Sequence, residues 1–367
     1  MRRNHETCRV AADPADYKRY GIAKREIAVF EDGFRTSPGG PGTFEWWYFD
    51  AVLEDGSTLV INFMVKDIRS GAGLRQPARP VVTFALDRPD GTHVQRELRA
   101  PEGFTFATDR CDLRVGANTF SGDLNTYRLH VDIDGVLADV TLTGQVPSWR
   151  PESGHILFGD DHPHLFAWLP AVPQGSVQAT LTVDGQTRTL TGTGYHDHNW
   201  GDAAMPELIN HWYWARAEAG DYCVIASDII AERKYGHTEV PIFLLAKDGK
   251  TLADDSALVR FEKADEHPDP TTGKPVADTT IYDYDATGHG GEHYRVTFRR
   301  KNTIVHDRMI ESVKGPKHVL ATLAGFDGAY LRFTGTVTVE NLAAGAGADS
   351  VTAPALWELM YFGKTSA

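Results

Sequence analysis

His196 and His198 stand two residues apart, with Trp200 at the same interval beyond them, in a chain that is otherwise ordinary in composition. An imidazole titrates near neutrality and can both give and take a proton, while an indole beside it offers a π face to positive charge. These residues fall in the run Gly192-Thr193-Gly194-Tyr195-His196-Asp197-His198-Asn199-Trp200-Gly201-Asp202. In an extended backbone, side chains alternate between faces. His196, His198 and Trp200 then project one way, and Tyr195, Asp197 and Asn199 the other. The competing reading is a polar strand end whose groups only bond one another, as buried polar clusters often do.

The elements that must position this run read as strands. Val177, Ala179, Leu181 and Val183 alternate with polar neighbours, Asp184-Gly185 turns the chain, and Thr187, Thr189 and Thr191 lead back into the run. That is hairpin grammar. It recurs in Phe44-Glu45-Trp46-Trp47-Tyr48-Phe49-Asp50, followed by Asp55-Gly56 and Thr58 to Val65, and again around Asp134-Gly135. Further Asp-Gly pairs at 90–91, 248–249 and 327–328 space out similar segments, and helical periodicity is confined to a short stretch around residues 12–25. The chain is therefore expected to be all-β, in antiparallel sheets. Residues 37–42, 265–275 and 343–350 read as loops, and the histidines at 289 and 293 as part of a turn and not a metal site.

An internal echo sets the expected domain organisation. Trp47-Tyr48-Phe49 resembles Trp212-Tyr213-Trp214, and Tyr127-Arg128-Leu129 has a counterpart in Tyr294-Arg295-Val296. Two landmarks in register suggest a duplicated β domain. We expect an N-terminal arm over residues 1–42, one domain over 43–205 and a second over 206–367. His198 and Trp200 would then lie where the two meet, a place that favours pockets.

Composition excludes several classes. Across 367 residues, 37 Lys and Arg face 50 Asp and Glu, a net charge of -13, with no long basic block. A nucleic-acid partner is not expected. Hydrophobic residues make up 41% and mean hydropathy is -0.33, as in a soluble globular protein. Cys8, Cys111 and Cys223 are odd in number and lack metal-type spacing, so neither a disulfide framework nor a cysteine-ligated zinc is expected. The N-terminus carries paired arginines without an apolar export segment, and no stretch is apolar enough to cross a bilayer. A cytoplasmic protein without stable membrane insertion is the expectation; oligomeric state stays open.

The aromatic strand at 44–50, the strand and turn at 177–185, the Gly194-to-Gly201 run and the terminal Leu356-Trp357-Glu358-Leu359-Met360-Tyr361-Phe362 together resemble the CrtC/AttH family. That family contains carotenoid 1,2-hydratases (hydroxyneurosporene synthases) and is similar to lipocalin-like Diels–Alderases. The resemblance covers most of the chain from about residue 30. It implies two tandem lipocalin-like β-barrel or sandwich domains packed against each other, with an apolar substrate bound in or between them; the residues themselves call for no cofactor and complete no metal ligand set. The hydratases' His-x-Trp pair falls on His198 and Trp200. Their Tyr-x-Asp pair is matched only in part, because Ile225-Ala226-Ser227-Asp228 lacks the tyrosine.

Protonating an isolated alkene needs an acid pressed against a weakly basic carbon, and protection for the cation that results. The catalytic candidates are His198, Trp200, His196, Asp197 and Asp228, with His198 as principal proton carrier. Glu45, Trp47, Tyr48, Asp50, Tyr195, Asn199, Trp212, Tyr213 and Trp214 are candidates for binding substrate. Glu45 and Asp50 are costly to bury unpaired, and Arg216 is a possible partner. The function expected is hydration, dehydration or cyclisation of a terpenoid- or polyketide-like alkene. A carrier that binds an apolar ligand unchanged, a pericyclase working by pocket shape, and a metal hydrolase built on His196, His198 and Glu45 remain alternatives.

Overall fold

Asp-Gly pairs turn the chain at 55–56, 90–91, 134–135, 184–185 and 248–249, whereas 327–328 run straight into the strand Ala329–Asn341. At Asp134-Gly135, Asp184-Gly185 and Asp248-Gly249 both residues have positive φ (43° and 81°, 52° and 76°, 51° and 73°). This is the primed turn whose twist matches that of the strands it joins. The computed structural model describes residues 5–67, 77–100, 102–308, 327–342 and 349–363. Most of the stretch at 343–350 lies outside the described residues, as do residues 1–4.

The chain divides into two units. The N-terminal unit holds Val10–Leu157 and His164–Ala204; the C-terminal unit holds Met1–Arg9, Phe158–Pro163 and Met205–Ala367. The sheet of the N-terminal unit runs, in hydrogen-bonded order, His93–Arg99, Val81–Asp87, Thr58–Met64, Phe44–Leu53, Gln186–Gly201, His164–Val183, Val136–Gly144, Thr126–Ile133, Asn118–Gly122, Asp112–Val115 and Phe104–Phe106. That of the C-terminal unit runs Lys250–Ala253, Glu239–Lys247, Tyr222–Ala231, Ile209–Ala219, Ser350–Tyr361, Ala329–Asn341, His293–Asp307, Pro275–Asp285 and Val259–Pro268. Both are antiparallel, and the fold is all-β. In each, the first long strand pairs with the last, and the rest meander outward on either side. The aromatic echo falls on equivalent strands, since Trp47 and Tyr213 both sit on the strand paired with the last one. The tyrosine echo does not: Tyr127 is three strands beyond Gln186–Gly201, whereas Tyr294 is two beyond Ser350–Tyr361.

Alternation buries one face of each sheet. Trp47, Phe49, Ile61, Phe63, Phe84 and Phe120 fill the N-terminal unit, and Phe243, Tyr282, Phe298, Phe333 and Trp357 the C-terminal one. Each such side chain contributes about 1.5–3 kcal/mol on burial, so these rows hold the sheets curled.

Three expectations change. The helix is shorter than residues 12–25, spanning Pro14–Tyr20, because Pro14 opens it and Gly21, at φ 65°, closes it in the left-handed region. Residues 10–42 are no loose arm. Glu31 pairs with Arg150 Nε at 2.7 Å, both side chains being buried, and Asp32 enters the core. The loop expected at 265–275 is shorter, because 265–268 and 275 belong to the flanking strands, and 269–274 form a tight turn in which Asp269 accepts from the Thr272 amide and buried Lys274 reaches Asp327 at 2.7 Å.

Candidate functional site

The period-two reading of the polar run holds. Gln186–Gly201 pairs with Phe44–Leu53 so that His198 faces Trp47, His196 faces Phe49 and Trp200 faces Glu45. Gly201 allows the approach, because a Cβ there would strike the Phe44 ring and the Leu165 carbonyl. All six side chains point into the N-terminal unit. The His198 ring stacks on Trp47 with centroids 4.3 Å apart and lies 4.6 Å from Trp200.

Both nitrogens of His198 face carboxylates. Nε2 is 2.7 Å from Glu45 Oε1, and Nδ1 is 3.3 Å from Asp32 Oδ1, at an angle too poor for a hydrogen bond. Burial alone would strip the ring of its charge, but Asp32 and Glu45 outweigh it and raise His198 above the usual histidine range. Asp32 shows the converse: burial pushes it up, yet His196 and His198 hold it well below the carboxylate range. Glu45 is bound further by the Arg35 and Thr36 amides, each at 2.7 Å, and by the Thr36 hydroxyl at 2.6 Å. Its partners thus lie within its own unit. Arg216 instead approaches Glu218 at 3.6 Å, which corrects the pairing suggested for it. Sequence neighbours 35 and 36 satisfy Glu45 because the turn before its strand folds back over the carboxylate.

His196 sets Nδ1 2.8 Å from the Tyr48 carbonyl and Nε2 3.3 Å from Asp32 Oδ2, which also accepts from Tyr127 Oη at 2.6 Å. Cys111 joins this corner: one ligand-type atom each of Asp32, Cys111 and His196 lies within 4.8 Å of the others. The spacing of the cysteines did not foretell that trio, since the fold brings it together across strands. The Cys111 thiol donates to the Phe120 carbonyl at 3.7 Å, and burial holds it protonated.

The opposite face carries a second cluster. Asp197 accepts from Tyr195 Oη at 2.7 Å, Trp168 Nε1 at 2.8 Å and Asn199 Nδ2 at 2.8 Å. Burial pushes Asp197 up to about 6 against the bonds from Tyr195 and Trp168. Tyr48 donates to Asp50 at 3.0 Å beside the Tyr195 ring. Nearby, an open groove of about 530 Å³ runs past Thr141, Thr143, Ser176, Gln178, Thr191 and Thr193, but it holds no titratable group.

Asp228 and the 212–214 trio belong to the C-terminal unit. Tyr213 points into its core and is the register partner of Asp228; Trp212 and Trp214, one residue to either side, take the other face. Asp228 is 1% exposed, and its Oδ1 has no hydrogen-bond partner. Burial, with the Glu239 carboxylate beside it, raises Asp228 well above the carboxylate range, and Lys263 opposes this only in part. The sequence thus nominated Asp228 but missed Asp32, Tyr127, Cys111 and Trp168, which complete the two N-terminal clusters. An acidic pair at 31–32 amid a loop was the one local hint.

The Diels-Alderase-like family matches residues 35–289, more than half of the chain. The chain belongs to that family. Among the relatives of this Diels-Alderase-like chain, the quinolone epoxide rearrangement protein asqO of Emericella nidulans is 25% identical over 199 residues, 51% of this chain and 54% of that one. An acyclic carotenoid 1,2-hydratase of Rubrivivax gelatinosus is 25% identical over 247 residues, 64% and 58% respectively. The chain spans little more than half the length of either. Among solved structures, CghA with Sch210972 superposes with a TM-score of 0.61 at 17% identity, covering 94% of this chain and 98% of that one, so the fold is shared. No helix among the described residues is long and apolar enough to cross a membrane.

Proposed function

We propose that this chain is a cytoplasmic, cofactor-free enzyme that moves a proton onto and off an apolar alkene or polyene of terpenoid or polyketide kind. The product is a hydrated, dehydrated or cyclised molecule. One observation carries the reading: Asp228 is a buried carboxyl with an unengaged oxygen, between Tyr213 and Pro241 on an aromatic-lined face, and burial with the Glu239 carboxylate beside it favours its protonated form. A carboxyl kept protonated at neutral pH is the ordinary protein device for delivering a proton to a weak base. Aromatic walls lower the cost of the cation that follows.

His198 takes a different part in this reading from the one its sequence position suggested. Locked between two carboxylates and fully buried, its imidazolium orients Trp47 and Trp200 and balances charge in the N-terminal core. Proton delivery falls to Asp228. Relatives named for epoxide rearrangement and carotenoid hydration support chemistry of this class. The test is incubation of the purified chain, without added cofactor, with an acyclic isoprenoid polyene and a linear polyketide-like triene. Products with one water gained, or isomers of the substrate, are expected. Recovery of both compounds bound but chemically unchanged would favour a carrier, and the fold alone would then be shared with the enzymes.

A further inference from the structure

Three strands of the C-terminal unit set out a small lattice around Asp228. At its outer edge, His211, Ile230 and Glu239 are register partners; in the next row stand Tyr213, Asp228 and Pro241, and then Ala215, Ala226 and Phe243. Asp228 therefore has His211 on one diagonal and Glu239 on the other, at the ~7–8 Å spacing of diagonal cross-strand neighbours. All face the same side of the sheet as Tyr213, a core residue.

His211 is held in one tautomer. The Asn210 amide donates from Nδ2 to Glu232 Oε2 at 3.0 Å, which turns its Oδ1 toward His211 Nδ1 at 2.9 Å. An amide oxygen only accepts, so Nδ1 carries the hydrogen and Nε2 presents a lone pair. The backbone carbonyl of Asn210 accepts from the amides of Phe362 and Gly363, at 2.8 and 3.1 Å, which fixes the main chain beside His211. The imidazole lies flat on Tyr361, with centroids 4.7 Å apart and planes 24° apart. Burial, and then Lys263, His237 and Lys274, push His211 down to about 3, so the ring is neutral throughout the physiological range.

We propose that His211 is the base that works opposite the Asp228 acid on this rim, through Nε2. This rests on the reading of Asp228 as proton donor. The Asp228 hydroxyl gives its proton to an alkene carbon, whose π pair forms the new C–H bond and leaves a cation on the adjacent carbon. Water adds to that carbon through an oxygen lone pair, and the proton it sheds goes to His211 Nε2; in the isomerising branch a neighbouring C–H gives up its proton instead. Solvent water then takes the Nε2 proton from the His211 imidazolium and gives one to the Asp228 carboxylate across the diagonal, so the pair ends as it began. As Asp228 ionises, its negative charge makes the nearby imidazole more basic in a medium of low dielectric, which couples the two transfers.

Two arms test this on the full-length chain. In the first, ¹⁵N-histidine and ¹³C-aspartate labelling, with His211→Gln and Asp228→Asn to assign the signals, reads the resting state. His211 is expected as the neutral Nδ1–H form from pH 8 down to about 5, with Asp228 protonated at pH 7. Titration of His211 in the usual histidine range, or a hydrogen on Nε2, overturns the pair. In the second arm, squalene is supplied as the probe polyene. His211→Gln is expected to lower kcat about 10²-fold with little change in KM, and exogenous imidazole to restore part of the turnover of His211→Gly. Wild-type turnover in His211→Gln overturns the base assignment and leaves the proposed function standing. A wild-type protein inert on squalene counts against the isoprenoid substrate, and the labelling arm still decides the pair.

Discussion

Glu45 Oε1 and His198 Nε2 meet 2.7 Å apart in the core of the N-terminal unit, and neither side chain reaches solvent. Such a pair is costly to break, because the survivor is left as an uncompensated buried charge. Glu45→Gln and His198→Gln are each expected to cost about 3–5 kcal/mol, and the double variant clearly less than their sum. Urea unfolding of the four proteins measures this; additive losses would show that the two groups act separately.

The same cluster sets a pH window. The raised His198 gives stability that is full below the ordinary histidine range and is lost as pH rises through its folded value. The depressed Asp32 gives stability that is full above the ordinary carboxylate range and is lost as pH falls through its folded value. The contribution of this cluster alone is therefore full between about pH 4 and 6.5, and the alkaline decline is expected to flatten in His198→Gln. Unfolding midpoints across pH check it; an unchanged alkaline slope in the variant would contradict the assignment.

Asp197 titrates close to neutrality and accepts from the Trp168 indole. Protonation below about 6 weakens that acceptor. The fluorescence difference between wild type and Trp168→Phe should therefore follow a single titration near that pH, and Asp197→Asn should abolish it. A flat difference signal would mean that Asp197 stays in one charge state.

The raised Asp228 carboxyl opposes stability. A carboxyl with a raised folded value contributes fully below the ordinary carboxylate range, and that contribution is lost as pH rises through the folded value. Asp228→Asn keeps the shape without the ionisation, so it should melt above wild type at neutral pH, with a gap that widens as pH rises from the ordinary carboxylate range toward the raised folded value. In a unit of this size about 1 kcal/mol corresponds to about 2–4 °C. A variant that melts below wild type throughout would point to a structural carboxylate.

Strands, turns and the shared face of His196, His198 and Trp200 could be read from the sequence, because each depends on residues a few positions apart. The partners of those residues could not. Tyr127 reaches Asp32 across 95 positions and His196 reaches it across 164, so only the folded sheet brings them together. The misassigned partner of Glu45 has the same origin: its donors at 35 and 36 come from a turn, where no periodicity marks them. Weight given to His198 over Asp228 followed motif density, whereas the reading of Asp228 rests on its burial beside the Glu239 carboxylate, which raises it and which strand neighbours alone do not reveal.

The most direct measurement is deuterium delivery to carbon. Wild type, Asp228→Asn and His198→Gln would be incubated in D₂O with an acyclic isoprenoid polyene and no added cofactor, and carbon-bound deuterium counted by mass spectrometry. Wild type should incorporate deuterium, Asp228→Asn at least about 10²-fold more slowly, and folded His198→Gln within about tenfold of wild type. Incorporation by Asp228→Asn at the wild-type rate would contradict the central claim.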